Sequence, residues 1–452
     1  MSSTSPLVAL ARIISQGVQT LESAYSKKNL SFPSLDEPFK PSPLDDDPDV
    51  GNTTRLVIAA AFQIIATVRP PQETILDYAP AMYLSATLGV VDEANIADAL
   101  KEAGPKGLHV NDISTKTGVD SDKLSRVLRY LASRHVFTEV SPDVYANNRI
   151  SSVLAKTKPL EEVKKDKLTK YDGAPSAAYT GHMTDESFKA AAYLSSYIKD
   201  GPQGIVTPWN LATGKAGPVW RWYEEPENLW RFNRFTAAMK GSADHFASSI
   251  YTESLDWKSL PPNSVVVDVG GSVGKVTYEL YKVFPHLKYV VQDLPPVVKD
   301  AENFWAEVAP KAVKAGRVSL QAQDFFQPQA IKGPAAFVLR FIIHDWLDGP
   351  NIKILKHLRA AATPATRLVI FDALMPHVCA VPGGPPPPPS PLLGNLGAGM
   401  GAFLTMLDLQ MLTVTGGKER TLKEFVSLGA AAGWKLETVK PGMPSAFVFV
   451  PV

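Results

Sequence analysis

VVVDVGGSVG, Val265–Gly274, is the stretch on which the fold turns. A short run of β-branched residues leads directly into a cluster of glycines. Such a run fits a strand buried on both faces, as in a parallel sheet, and the glycines let the backbone turn tightly and come close to a ligand. The same texture recurs downstream. KYVVQDL (288–294), RVSLQAQD (317–324), AAFVLRFII (335–343) and RLVIFDAL (367–374) are β-rich runs with helical stretches between them. This alternation predicts a doubly wound α/β sheet. KLETVKP and SAFVFVPV follow closely enough to pair as an antiparallel hairpin.

Composition bounds the function. The chain has 452 residues, 45% hydrophobic and 20% charged, with a formal net charge of +1. It is long enough for two or three domains with a large core. The near-zero charge argues against a dedicated binder of nucleic acid or of an anionic membrane. The single cysteine, Cys379, excludes an internal disulfide and any cysteine-based zinc cluster. The start, MSSTSPLVAL, lacks the basic segment and long apolar stretch of a secretory signal. The most apolar long run, Leu56–Val68, is 13 residues and reads as a buried helix too short to span a bilayer. A cytoplasmic protein is expected.

Ser5–Pro6 can cap a first helix reaching about Lys27. Residues 31–52 are rich in Pro and Asp and read as a linker. Apolar helices are expected near 53–68 and 72–90, and a second subunit is one way to bury them. Residues 108–150 read as strand, helix, helix and ribbon, a winged-helix arrangement. Lys123, Arg126, Arg129 and Arg134 lie largely off its apolar face, as DNA binding would want, or as a solvated structural module would leave them. Residues 156–188 read as an exposed, irregular connection. Pro226–Phe246 is expected to be helical, with an aromatic and Met stripe suited to core or pocket lining. The Pro/Gly-rich stretch 381–401 is expected to form a flexible surface loop. Thr421–Glu424 is a capping box that starts a last helix.

Three strand ends carry the chemistry. Asp268 stands two residues before the first glycine, and Gly270, Gly271 and Gly274 shape the turn. A carboxylate there suits a cationic amino group better than a pyrophosphate. Asp293, 25 residues on, ends the second strand where it can accept ribose hydroxyl hydrogens. Asp324 and Phe325 end the third, where a carboxylate and a ring could hold an adenine. His344 follows the fourth, at the sheet edge where open α/β folds place ligands. A lone histidine there is as readily a satisfied loop residue, and the motifs around it shift that balance.

The ordered motifs DVGGSVG, VQDLP, QDFF, RFIIHDWLD, IFDALMP and GGKERT closely resemble those of S-adenosylmethionine-dependent O-methyltransferases. The similarity is to the plant caffeate/flavonoid type and to its fungal polyketide-tailoring, sterigmatocystin-type relatives. The resemblance implies a Rossmann-like class I methyltransferase domain over 236–452, with a seven-stranded, mostly parallel sheet. It implies an α-helical, winged-helix-containing dimerisation and substrate-capping domain over 1–235, hence a homodimer. It implies S-adenosylmethionine contacts from Gly270, Asp293, Leu294, Asp324, Phe325 and Arg340, with Trp346 packed near the cofactor. His344 matches the family's general base, and Asp372 and Glu419 match its flanking acids. Met239 matches a substrate-pocket residue, and Phe235, Met375 and Leu409 join it as candidates. Three departures stand out. Ser272 replaces a glycine, Asp372 stands where plant members have the longer Glu, and Arg340 stands where they often have Lys.

The expected reaction is methyl transfer to a phenolic hydroxyl of an aromatic small molecule, in secondary metabolism. His344 takes the proton as attack begins, and the acids orient it as in a Ser-His-Asp triad. Glu419 is expected to hold it in preference to the shorter Asp372. No metal, membrane or nucleic-acid partner is expected. The alternatives are a non-catalytic regulator or assembly partner with this fold, or transfer to nitrogen or carbon on the same scaffold.

Overall fold

A computed structural model describes residues 5–200, 206–244, 248–381 and 386–452. Positions 245–246 of the expected aromatic helix and 382–385 of the Pro/Gly-rich stretch lie outside the described residues. The chain forms two compact units. The first is Met1–His245 with His377–Phe403, the second Phe246–Pro376 with Leu404–Val452.

In the first unit, helix α1 (Pro6–Lys27) is capped by Ser5, whose Oγ accepts from Val8 N at 3.3 Å. Helix α2 (Pro48–Val68) starts earlier than the linker composition suggests, because Asp47 Oδ1 accepts from the N–H groups of Asp49 and Val50. This corrects the reading of Leu56–Val68 as a short buried helix. α2 has 21 residues, long and apolar enough to cross a membrane by those measures alone, and within the chain only Ala59 and Ala60 are buried. Phe62, Ile65 and Val68 are exposed. The helix expected over 72–90 is two, Pro71–Tyr78 and Met82–Glu93. They break around Pro80, which has no N–H to give and disfavours helix in the residue before it.

The module over 108–150 has the expected order. β1 (Leu108–His109), two helices (Val110–Thr117 and Ser121–Ala132), β2 (Thr138–Ser141) and β3 (Val144–Ala146) form a small sheet of order β1-β3-β2. Residues 156–188 are not an exposed connection. Lys156 is fully buried, with Nζ 2.9 Å from Asp92 Oδ1 and 3.4 Å from Asp98 Oδ2, and Tyr171 donates to Asp92 Oδ2 at 2.6 Å. Part of the segment's polarity is thus paired inside, while Glu161, Glu162, Lys164, Lys165, Asp166 and Lys167 are exposed. The Pro/Gly-rich stretch also packs. Leu392 joins a cluster with Leu10, Ala59 and Ala60, and Gln63 Nε2 donates to Pro391 O at 2.8 Å. The flexible-loop expectation is corrected for residues 386–401, which belong with the first unit and not with the unit that carries the large sheet.

In the second unit, among the described residues, seven strands form one sheet. They are β4 (Val265–Val269), β5 (Lys288–Asp293), β6 (Val318–Ala322), β7 (Ala336–Arg340), β8 (Arg367–Asp372), β9 (Trp434–Lys440) and β10 (Ser445–Pro451), in the order β6-β5-β4-β7-β8-β10-β9. The first five in that order are parallel, and β10 runs antiparallel to both neighbours. This is the expected mostly parallel sheet. One face packs on Trp257, Leu280 and Trp305, the other on Leu355, Phe425 and Trp434. The strand order reverses at β4, so the carboxyl ends of β4 and β7 flank the switch point where such sheets open a crevice.

Candidate active site

The glycine turn after β4 is built around Asp268. Its Oδ2 accepts from Thr277 Oγ1 at 2.8 Å, while its buried Oδ1 meets no donor among the described residues. Burial pushes its carboxyl up to about 6. Gly271 is required here. A Cβ would lie 2.6 Å from Asp268 Cγ. Ser272 sits at φ 53°, and its N–H donates to Asp293 Oδ2 at 2.8 Å. Leu294 N donates to the other Asp293 oxygen, also at 2.8 Å. The carboxylate at the end of β5 is thus fixed by two backbone donors, with lone pairs left over. Asp324 Oδ1 accepts from Phe326 N. The rings of Phe325 and Phe326 pack edge-on against Trp346, at 6.2 and 4.8 Å between centroids. Arg340 ends β7, and its charge acts on both Asp268 and the Tyr251 hydroxyl. Asp268, the glycines, Asp293, Leu294, Asp324, Phe325, Arg340 and Trp346 therefore line one edge of one sheet.

β7 ends at Arg340, not at Ile343 as the apolar run suggests. Phe341 takes φ 52°, and Ile343–Asp345 form a single 3-10 turn. That turn presents His344. Its Nδ1–H donates to Glu419 Oε1 at 2.8 Å, and Asp372 Oδ1 stands 3.7 Å from the same nitrogen. The shorter side chain falls out of hydrogen-bond range. On the other side, Nε2 has Asp345 Oδ1 at 3.8 Å and no hydrogen bond among the described residues. Glu419 and Asp372 are buried, and His344 is 12% exposed at its side chain. Burial alone would lower the imidazole. The carboxylates of Asp372, Asp345 and Glu419 outweigh it and hold His344 up to about 10. Burial raises Asp372 to about 7 and Asp345 to about 6.

Sequence reading missed the residues that fix this turn. Arg420 is 1% exposed, and its two terminal nitrogens donate to the carbonyls of Ile343 and Trp346 at 2.8 Å each. The same guanidinium meets Asp348 Oδ1 at 2.7 Å. Asn351 Nδ2 donates to the same two carbonyls, at 2.7 and 2.8 Å. Gly417 lies so close that a Cβ would sit 1.9 Å from His344 O. Glu419 N donates to Asp408 Oδ1 at 2.8 Å. The available signal was adjacency: Gly417, Glu419 and Arg420 all belong to GGKERT.

The candidate pocket residues divide. Met375 lies beside this loop, its N–H donating to Arg420 O at 2.9 Å, and Leu409 is half exposed on the helix Gly401–Gln410. Phe235 and Met239 belong to the first unit, on the helix Leu229–Asp244. There Phe235 packs among Trp220, Tyr223 and His182, and Met239 packs on a cluster of Ala174, Ala177 and Ala178. His344, Asp372 and Glu419 bring a nitrogen and two carboxylate oxygens within 4.8 Å of one another, donor types that a metal ion could also use.

Residues 192–383 match the family model of an O-methyltransferase domain, and residues 76–157 that of an O-methyltransferase dimerisation domain. An O-methyltransferase of Armillaria gallica is 37% identical, the match spanning 96% of this chain and 95% of that protein. The chain belongs to the O-methyltransferase family. This methyltransferase, an S-adenosylmethionine-dependent enzyme, is also 36% identical to 4-O-methyltransferase 1 of Phanerochaete chrysosporium, over 96% of this chain and 95% of the other. Sterigmatocystin 8-O-methyltransferase of Aspergillus flavus is 28% identical, over 84% and 83%. Among solved structures, OxaC in complex with sinefungin and meleagrin aligns with a TM-score of 0.68 at 22% identity, covering 97% of this chain and 99% of that one. A pericyclic reaction enzyme aligns with a TM-score of 0.67 at 18% identity, covering 97% and 99%. At those identities the likeness concerns the fold, and the fold hosts more than one chemistry.

Proposed function

We propose that this methyltransferase methylates a phenolic hydroxyl of an aromatic small molecule in secondary metabolism, with His344 as general base. The observation that carries this reading is the 2.8 Å contact of His344 Nδ1 with buried Glu419, which leaves Nε2 without a hydrogen bond among the described residues. Glu419 fixes the tautomer in which Nε2 carries the lone pair. The carboxylates raise the imidazole to about 10, close to the ordinary value of a phenol, about 10. Proton transfer between such matched groups is nearly balanced, so it can accompany attack of the phenolic oxygen.

Bound S-adenosylmethionine supplies a methyl group already activated by its sulfonium charge. The residues present fit it. Asp268 offers a buried oxygen without a donor to an ammonium. Asp293 stands ready for ribose hydroxyls, with Leu294 beside it, and Asp324, Phe325 and Trp346 for the adenine. Arg340 offers its guanidinium to a carboxylate. Met375 and Leu409, on the unit that carries the sheet, are assigned to the acceptor pocket, an assignment to which the likeness to fungal tailoring enzymes lends support. The test is His344→Gln, assayed with methyl-labelled donor on a panel of phenols. A fall in kcat of about 10²–10⁴ is expected, with donor binding kept, and undiminished turnover rejects the role.

We infer a homodimer. The first unit carries the dimerisation-domain match and leaves the large apolar side chains of Phe62, Ile65, Ile75, Leu76 and Tyr83 exposed, which a second subunit would cover. Sedimentation at micromolar concentration should give twice the chain mass, and a monomer rejects the inference.

A further inference from the structure

The three groups around His344 Nδ1 have a second chemistry open to them. The geometry points to an inhibitory site for a first-row divalent cation, of which Zn²⁺ is the probe, built from His344, Asp372 and Glu419. One imidazole nitrogen and two carboxylate oxygens are ordinary zinc donors. Four-coordinate zinc with bonds of about 2.1 Å spaces its ligands about 3.4 Å apart. The observed separations from Nδ1, 2.8 Å to Glu419 and 3.7 Å to Asp372, straddle that value. The three donor atoms lie within 4.8 Å of one another, so closing on a cation takes side-chain shifts of up to about 1.4 Å.

A second observation is independent of those spacings. Asp372 and Glu419 are 1% and 0% exposed at their side chains, and each keeps one oxygen, Oδ2 and Oε2, with no donor among the described residues. Buried carboxylate oxygens without donors are costly, and a shared cation answers both. Asp345, with Oδ1 3.8 Å from Nε2, adds a third negative group to the same pocket. Three protein ligands leave a coordination position open, as in sites that keep exchangeable water.

The consequence rests on the reading of His344 as the base. A cation on Nδ1 takes the place of the proton donated to Glu419. The neutral ring then keeps its one proton on Nε2, which has no lone pair left to accept the phenolic proton. Methyl transfer should fall with occupancy and return on chelation.

The experiment is titration of the chelator-treated full chain with Zn²⁺ by calorimetry, and with Co²⁺ by visible absorption. One site per chain is expected. Its dissociation constant should rise at least about tenfold in Glu419→Gln and in Asp372→Asn, and stay unchanged in His377→Gln, which removes an exposed histidine outside the ligand set. Because the acidic variants could misfold, zinc-soaked crystals of the unaltered chain give a second reading, an anomalous peak bounded by His344, Asp372 and Glu419. No saturable binding, binding that survives both acidic substitutions, or an anomalous map without that peak overturns the site. Binding as expected in a protein that methylates no phenol would retire the proposed function and leave the cation site standing. Methylation indifferent to bound Zn²⁺ would retire the inhibition.

Discussion

His344 sits between carboxylates of unequal reach, and that inequality makes their roles separable. Glu419 accepts a hydrogen bond at 2.8 Å, whereas Asp372, one methylene shorter than a Glu, stops at 3.7 Å and acts through its charge. Both raise the proton affinity of the ring. A base must be neutral to accept a proton, so kcat/KM is expected to climb with pH through the neutral range toward about 10. Removing either charge lowers the imidazole and moves that climb to lower pH. Only Glu419→Gln should also cut the limiting rate, by a hundredfold or more, because an amide N–H facing Nδ1 favours the wrong tautomer. Asp372→Asn should stay within about tenfold of the parent. Full pH–rate profiles of the two variants check this, and equal limiting rates would mean that charge rather than orientation is what Glu419 provides.

At the scale of elements, the turn that carries His344 is held by side chains that grip its carbonyls, one from a distant loop and one from the helix that follows. Ile343–Asp345 is one turn long and cannot hold itself. Arg420 and Asn351 both grip the carbonyls of Ile343 and Trp346, on either side of His344. Arg420→Met is therefore expected to lower kcat about tenfold or more while leaving donor affinity near the parent value, since the glycine turn and Asp293 are untouched. Arg420→Lys can reach one carbonyl but not fork between two, and should recover only part of the loss. A variant that loses donor binding and turnover together would show a general structural role instead. The parallel strands were legible in the sequence because burial on both faces writes itself as unbroken Val, Ile and Leu. The candidate site residues were legible where a strand end and a motif coincided, as at Asp268, Asp293 and His344. Arg420 was not, because nothing local distinguishes a buried arginine from a solvated one. Lys156 misled in the same way. Its partners Asp92 and Asp98 lie 64 and 58 residues earlier.

At the scale of the whole chain, the unit that carries the sheet is interrupted in sequence. After β8 the chain leaves it at His377 and re-enters at Leu404. The excursion read as a flexible loop because its proline and glycine content forbids regular structure, and composition cannot show a tertiary partner hundreds of residues away. The partner of Pro391 is Gln63, 328 residues earlier, and Leu392 lies on Leu10, Ala59 and Ala60. It follows that the sheet-bearing unit cannot be isolated by a single cut. A chain of residues 246–452 would retain the excursion and lose what covers it, baring Leu392 and Leu396 together with the backbone they order. That fragment is expected to aggregate on expression. The same fragment with 377–403 replaced by a flexible Gly/Ser linker should be more soluble and should bind the methyl donor, because every residue assigned to the donor lies within 268–346. Gel filtration and calorimetry on the two fragments decide it. Equal solubility would mean that residues 386–401 need no contact with the first unit to stay folded.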